Sequence, residues 1–67
     1  MNSIFKVDGY KMMNAIIDSG MSIKQLSKRT GVTAATIYSY CKGKSARMEN
    51  LQKVAKALGV KPSSLIQ

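Results

Sequence analysis

Basic side chains are concentrated in the middle of this chain, and their density there indicates a surface for a polyanion. The 67 residues carry eleven Lys and Arg against three Asp and Glu, a net charge of +8. The acids are Asp8, Asp18 and Glu49, and no acid stands between the last two. The cations in that interval are Lys24, Lys28, Arg29, Lys42, Lys44 and Arg47. This clustering favours a face for nucleic-acid phosphates over basic surface that only keeps a small domain soluble.

Other chemistries lack the side chains that they need. The chain has no histidine and its three acids are scattered, so no acid–base pair or catalytic triad can be assembled. Cys41 is the single cysteine and can form neither an intrachain disulfide nor a cysteine metal cluster. We therefore expect no enzymatic activity, no metal, no cofactor and no small-molecule ligand. Cys41 is expected to be a small core residue, and a redox sensor is the disfavoured alternative.

Length and hydropathy set the class of protein. No apolar run approaches the ~20 residues that cross a bilayer, and the start MNSIFKVDGY lacks the apolar region of a signal peptide. Sixty-seven residues allow one domain. These features, together with the lone cysteine, predict a single domain in a reducing cytoplasm, with no membrane partner.

Residues 22–43 read as two short helices joined by a tight turn, a unit that would carry most of the clustered cations. Gly31 can take the left-handed conformation that ends a helix. Thr33 is a good N-cap for the next helix, which Gly43 would end. Ile37 and Tyr40 recur three residues apart on its inner face. A short glycine-containing turn between two helices is the helix-turn-helix pattern.

The rest of the chain reads as support for that unit. A first helix is predicted over residues 8–19, with Asp8 as its cap and Gly20 after it. Residues 43–48 read as a basic loop, and a helix over residues 49–58 has a regular apolar stripe. Pro62 is placed near the start of a short fifth helix. The apolar residues assigned to the two long helices are Met12, Met13, Ile16 and Ile17, then Leu51, Val54, Ala55 and Leu58.

The two ends of the chain are assigned to the edge of the domain. Residues 1–7 form an N-terminal arm, or a short strand because Ile4, Phe5 and Val7 are strand-prone. Leu65 and Ile66 close the core. The expected fold is all-α, a compact five-helix domain over residues 8–67.

Three sequence blocks together resemble one family. Most of the chain is similar to the Cro/cI-type, or lambda-repressor-like, helix-turn-helix family. The similar residues are GMSIKQLSKRTGVTAATIYSYCKGK, followed by ENLQKVAKALGVKPSSL. The most specific parts are the G-V-T cap, the I-x-x-Y-x-K-G-K helix end and the L-x-x-V-A-K-A-L-G-V block. The resemblance implies a DNA-binding domain whose third helix enters the major groove, usually as a dimer on a two-fold operator.

The sequence departs from this family at two places. Ile23 stands where relatives often have a glutamine that contacts phosphate, although backbone N–H groups at that helix start remain available. Ile16 and Cys41 occupy the positions of an Arg–Glu ion pair found in many relatives. Both charges are absent together, which avoids the several kcal/mol that a lone buried charge would cost.

The resemblance assigns roles to individual positions. Lys24, Lys28 and the basic loop are expected to contact phosphates, whereas Arg29 joins them or is simply solvated. Ala34 and Ala35 offer only methyl groups, which suit the C5-methyl of thymine. No Arg, Asn or Gln stands on this face, so we expect modest direct readout supplemented by DNA shape. The predicted base-reading residues are Thr33, Ala34, Ala35, Thr36, Tyr38 and Ser39. The predicted phosphate-binding residues are Ser22, Lys24, Lys28, Lys42, Lys44 and Arg47.

The expected function is a sequence-specific regulator of transcription that binds a double-stranded DNA operator. A minimal Cro-like or repressor-type protein of a phage or mobile element fits the resemblance, and a homodimer would use Leu65, Ile66 or the N-terminal arm. The serious alternative is a protein-interaction module on the same fold, either antitoxin-like or regulator-binding. RNA binding is a weaker third option.

Overall fold

Four α-helices and one short two-stranded sheet form the part of the chain that the computed structural model describes, residues 3–67. The helices are α1 (Gly9–Ser19), α2 (Ile23–Thr30), α3 (Ala34–Cys41) and α4 (Met48–Leu58). The strands are β1 (Ile4–Lys6) and β2 (Ser45–Arg47), and a 3₁₀ helix at Pro62–Leu65 ends the chain.

Side-chain caps and glycines set most bounds of the helices, as the sequence predicted, although α4 begins without a side-chain cap and α3 ends at Lys42. Asp8 accepts hydrogen bonds from the backbone N–H groups of Tyr10 and Lys11, each at 3.1 Å. Gly20 ends α1 with φ 74° and Gly59 ends α4 with φ 73°. Glycine takes this left-handed conformation at little steric cost, so these positions stop the helices cleanly.

The expectation of five helices is wrong, because the last element is a single 3₁₀ turn. Pro62–Leu65 has only four residues, and the Ser64 N–H donates to the Lys61 carbonyl at 3.0 Å, three positions back. Ile66 is already extended, with φ −106° and ψ 160°. A segment this short cannot complete the i to i−4 bonds of an α-helix.

The fold is mostly helical, as expected, but it is not purely α, because the loop predicted at residues 43–48 contains a strand. The structure places β2 there, antiparallel to β1, with Phe5 opposite Ala46 and Ile4 opposite Arg47. The predicted N-terminal strand is therefore present, but its partner is a segment of the same domain. Val7, which follows β1, is fully buried and bridges to Ile66. Residues 1 and 2 of the predicted arm lie outside the described residues.

One hydrophobic cluster fills the centre and unites the elements. Leu26, Ile37 and Val54 are fully buried, and Leu65 from the 3₁₀ helix closes the cluster at 1% exposure. Met12 and Ile16 of α1 belong to it. Met13 and Ile17, the other two apolar residues assigned to this helix, are 46% and 67% exposed. Only one side of α1 faces the cluster, and these two residues lie on the other.

Gly9, at the start of α1, allows this helix to approach the end of α3. A Cβ atom built on Gly9 would lie 2.4 Å from the Cys41 carbonyl oxygen and 3.1 Å from the Gly43 nitrogen. Both neighbours are backbone atoms, which cannot rotate away. The absence of a side chain at Gly9 therefore fixes the distance between α1 and α3.

Tyr40 connects α3 to α4 through the core and makes stability depend on pH. Its side chain is 2% exposed, and desolvation raises the pKa of its hydroxyl, while a hydrogen bond with the Asn50 side chain opposes this shift. Above pH ~10 the unfolded chain releases this proton first. The free energy of unfolding is therefore expected to fall as pH rises through this range.

Tyr40→Phe should flatten that fall, because it removes the ionising group. The measurement is urea unfolding at pH 8 and pH 10.5, with Tyr38→Phe as the control at an exposed tyrosine. Identical losses of stability in Tyr40→Phe and the unmodified protein would contradict this origin of the pH dependence.

Candidate nucleic-acid interface

The turn between α2 and α3 has the geometry predicted from its residues. Gly31 adopts φ 77°, and its N–H donates to the Ser27 carbonyl at 2.8 Å. Val32 is buried in the corner at 6% exposure. Thr33 caps α3, where its hydroxyl oxygen accepts from the Thr36 N–H at 3.3 Å. The two helices are thus held at a fixed angle by a turn with a buried apolar residue.

The inner face of α3 is buried and its outer face is open. Ile37 and Tyr40 are in the core. Tyr38, on the opposite side, is 54% exposed. All six predicted base-reading residues have solvent access: Thr33, Ala35 and Tyr38 are exposed, and Ala34, Thr36 and Ser39 are half-buried. The helix therefore presents a continuous outer face to an approaching partner.

Internal hydrogen bonds engage the hydroxyls of this outer face. Thr33 Oγ1 and Thr36 Oγ1 are hydrogen-bonded to each other at 2.9 Å. Ser39 Oγ donates to the Thr36 carbonyl at 2.5 Å. The three side chains repeat at i, i+3 and i+6, the spacing of one helix face. Sequence reasoning placed them on this face but missed the bond between the two threonine hydroxyls and the bond from Ser39 to the Thr36 backbone.

The predicted phosphate-binding cations come before and after α3 along the chain, and all of them are exposed. Lys24 and Lys28 are exposed on α2, and Lys42 and Lys44 are exposed after α3. The Lys44 N–H donates to the Ser39 carbonyl at 3.1 Å, which ties this segment to α3. Arg47 is exposed in β2, so the sheet rather than a loose loop positions it. Within residues 3–67 the one ion pair joins Lys53 to Glu49, so these five cations have no acidic partner in the described part.

Ser22 is placed at the start of α2, where a capping box fixes it. Its hydroxyl oxygen accepts from the Gln25 N–H at 3.1 Å, and the Gln25 side chain accepts from the Ser22 N–H at 2.9 Å. The serine proton remains available to a phosphate oxygen. The S-x-x-Q spacing is the signal for this box. Ile23, beside it, packs partly against the core.

Cys41 is half-buried beside the core, and burial raises the pKa of its thiol. A raised pKa keeps the sulfur protonated at neutral pH, and the thiol is a poor nucleophile in that form. Residues 3–67 contain no group of three His, Cys, Asp or Glu that could hold a metal ion. Within the same range, no helix has the length and apolar character needed to cross a membrane.

Comparison with known families decides the class of this unit. The Cro/C1-type HTH DNA-binding domain matches residues 11–67, most of the chain. The chain belongs to the Cro/C1-type helix-turn-helix DNA-binding domain family. This confirms the family predicted from the sequence.

Structural comparison supports the fold of this Cro/C1-type domain. A solved structure described as Streptomyces albus HEPD with substrate 2-hydroxyethylphosphonate and Fe(II) bound is similar, with a TM-score of 0.78 at 22% identity. The alignment covers 87% of this chain and 13% of that one. The Cro/C1-type domain thus spans a small part of the length of that protein, and the likeness concerns the fold alone. A comparison with curated protein sequences found no match.

Proposed function

We propose that this Cro/C1-type domain is a sequence-specific regulator of transcription that inserts α3 into the major groove of double-stranded DNA. The observation that carries the proposal is the open outer face of α3 between two groups of exposed cations. An α-helix fits the major groove, and cations on both sides of it can reach the two phosphate backbones. A DNA-binding role would place the protein in the bacterial cytoplasm or nucleoid.

The flanking cations would supply most of the affinity. About five phosphates are neutralised per subunit if Lys24, Lys28, Lys42, Lys44 and Arg47 all take part, and each contact releases counterions from the duplex. Binding should therefore weaken steeply as salt is raised. Phosphate contacts fix the position of α3 but carry no sequence information directly.

The double variant Lys44→Ala and Arg47→Ala tests whether the flanking cations supply affinity without sequence preference. It is expected to weaken binding to every DNA sequence by a similar factor, about 10- to 100-fold, because two charge-assisted contacts are lost. The slope of log K against log salt should become shallower by about 1.8 per subunit. The measurement is fluorescence anisotropy titration at several salt concentrations.

Lys53→Ala with Lys56→Ala is the matched control, since it removes the same charge from exposed positions of α4. The control should change affinity only slightly. Equal losses in the two double variants would show that net charge, not the placement of Lys44 and Arg47, governs binding.

We further propose that the regulator acts as a homodimer on a two-fold operator, in the manner of a phage or mobile-element repressor. Leu65 was predicted to serve the dimer, but at 1% exposure it has no surface to offer. An apolar groove formed by Phe5, Met48 and Ile66 lies beside it. Ile4, exposed by 63% on β1, is paired with Arg47, next to Met48. These residues are the surface that a second subunit would cover.

A protein-interaction module is the second candidate, and one observation favours it. Tyr10, Met13 and Ile17 form an exposed apolar row on α1, at the i, i+3 and i+7 spacing of one helix face. Under this alternative no DNA site would be bound with sequence preference. We propose in either case a protein without enzymatic activity, because neither surface contains an acid–base pair.

A further inference from the structure

We infer that the outer face of α3 selects A·T base pairs, which deepens the proposed DNA-binding function and rests on it. Alanine and threonine methyl groups contact the C5-methyl of thymine, and hydroxyl oxygens accept from the N6 amino group of adenine. The preference follows from the methyl groups of this face and from the few hydroxyl protons that its internal bonds leave free.

Two of the four hydroxyl protons of the face are already used. Ser39 donates its only side-chain proton to the Thr36 carbonyl, and Thr33 and Thr36 share one bond between their oxygens. Whichever of the two threonines donates, one proton of the pair is spent. The three hydroxyls together therefore offer a base one proton, but they retain several lone pairs. The face is an acceptor more than a donor.

The remaining surface consists of methyl groups. Ala35 is exposed and Ala34 is half-buried at the start of α3. Thr33 and Thr36 bind each other through their oxygens, and each also carries a methyl group. Tyr38 adds one hydroxyl proton, and a single donor cannot form the paired contact that guanine receives from arginine.

The base edges in the major groove then decide the preference. Guanine presents two acceptors, N7 and O6. This face has no paired donors that could bind both of them. Cytosine presents a donor but no methyl group. An A·T pair presents a donor on adenine and a methyl group on thymine, both of which the face can meet. An A·T pair also presents two acceptors, adenine N7 and thymine O4, so the number of unpartnered acceptors does not separate the two pairs. The thymine methyl group, which a G·C pair lacks, therefore carries the preference.

Thymine-to-uracil replacement tests the methyl contact directly, because uracil keeps every hydrogen-bonding group of thymine and lacks only the methyl. A bound site is first selected from a random duplex pool, and each thymine is then replaced by deoxyuridine in separate duplexes. Affinity is measured by fluorescence anisotropy. We expect an A·T-rich core, with at least one thymine whose replacement weakens binding about fourfold, the value of one buried methyl group.

Ala35→Gly identifies the protein side of the contact. In this variant the thymine and uracil sites should bind almost equally at the position that Ala35 contacts. Ala57→Gly is the matched control, since it introduces the same helix-weakening glycine in α4, away from α3. The control should retain the fourfold ratio.

The possible results test the preference for A·T pairs and the proposed DNA binding separately. Selected sites with G·C pairs in the core, or equal affinity for thymine and uracil at every position, would overturn the A·T inference while DNA binding stands. The same fourfold ratio in Ala35→Gly would overturn the assignment to Ala35. Failure to select any site would overturn the proposed function, and the inference with it.

Discussion

Ala35→Glu is expected to weaken DNA binding by at least about 100-fold while leaving the fold intact. Ala35 is exposed near the start of α3, in the centre of the proposed reading face. A glutamate there would carry its charge into a groove lined by phosphates, where it would be desolvated without a partner. Such a charge costs about 3 kcal/mol or more, which corresponds to this loss of affinity. A glutamate in the first turn also favours the helix electrostatically, so α3 should still form.

Lys61→Ala is the control for this variant, because it lowers the net charge by the same amount at an exposed position before the 3₁₀ helix. Titration of a selected duplex by fluorescence anisotropy gives both affinities, and circular dichroism shows that both variants fold. If Ala35→Glu and Lys61→Ala bound equally well, α3 would not be the element that enters the groove.

Gly9→Ala is expected to destabilise the domain by about 3 kcal/mol, although alanine usually stabilises a helix relative to glycine. The added Cβ would lie 2.4 Å from the Cys41 carbonyl oxygen, a backbone atom. Relief requires α1 to move away from α3, which opens the core at Met12 and Ile16. The free energy of unfolding of a small domain is about 5 kcal/mol, so this variant would lose most of its stability.

Gly20→Ala separates this steric effect from the strain of a left-handed residue. Gly20 has φ 74° and no atom within 4 Å of a built Cβ, so its replacement should cost only about 1–2 kcal/mol. Urea unfolding of both variants gives the comparison. A Gly9→Ala protein as stable as the unmodified one would show that α1 and α3 do not approach as closely as the structure has them.

The helices were predictable because their ends are encoded locally. Asp8, Ser22 and Thr33 cap helices with their own side chains, and Gly20 and Gly31 end them. Each signal lies within a few residues of the bond that it forms. The helix-turn-helix unit followed from these signals, whereas the family was indicated by the resemblance of its sequence blocks.

The sheet and the α1–α3 approach were not predictable, because they depend on residues far apart in sequence. Phe5 pairs with Ala46, and each strand has only three residues, too few to show an alternating pattern. Gly9 has no local signature, since the atom that excludes a side chain belongs to Cys41. Only the folded chain brings these pairs together.

The sequence predicted which residues form the candidate site, but not the hydrogen bonds that their side chains make. Spacing and resemblance placed Thr33, Thr36 and Ser39 on the outer face of α3, and the structure leaves all three accessible. The bonds that engage their hydroxyls depend on rotamers, which the sequence does not specify. The i, i+3, i+6 spacing of three hydroxyl residues was the available signal.

Chemical footprinting of the selected operator shows whether α3 enters the major groove. If α3 of each subunit enters the major groove, two protected major-groove patches should appear, related by a two-fold axis and about 10 base pairs apart. The Ala35→Glu protein should lose both patches at the same concentration. Protection confined to the minor groove, or patches that persist unchanged in Ala35→Glu, would contradict the placement of α3.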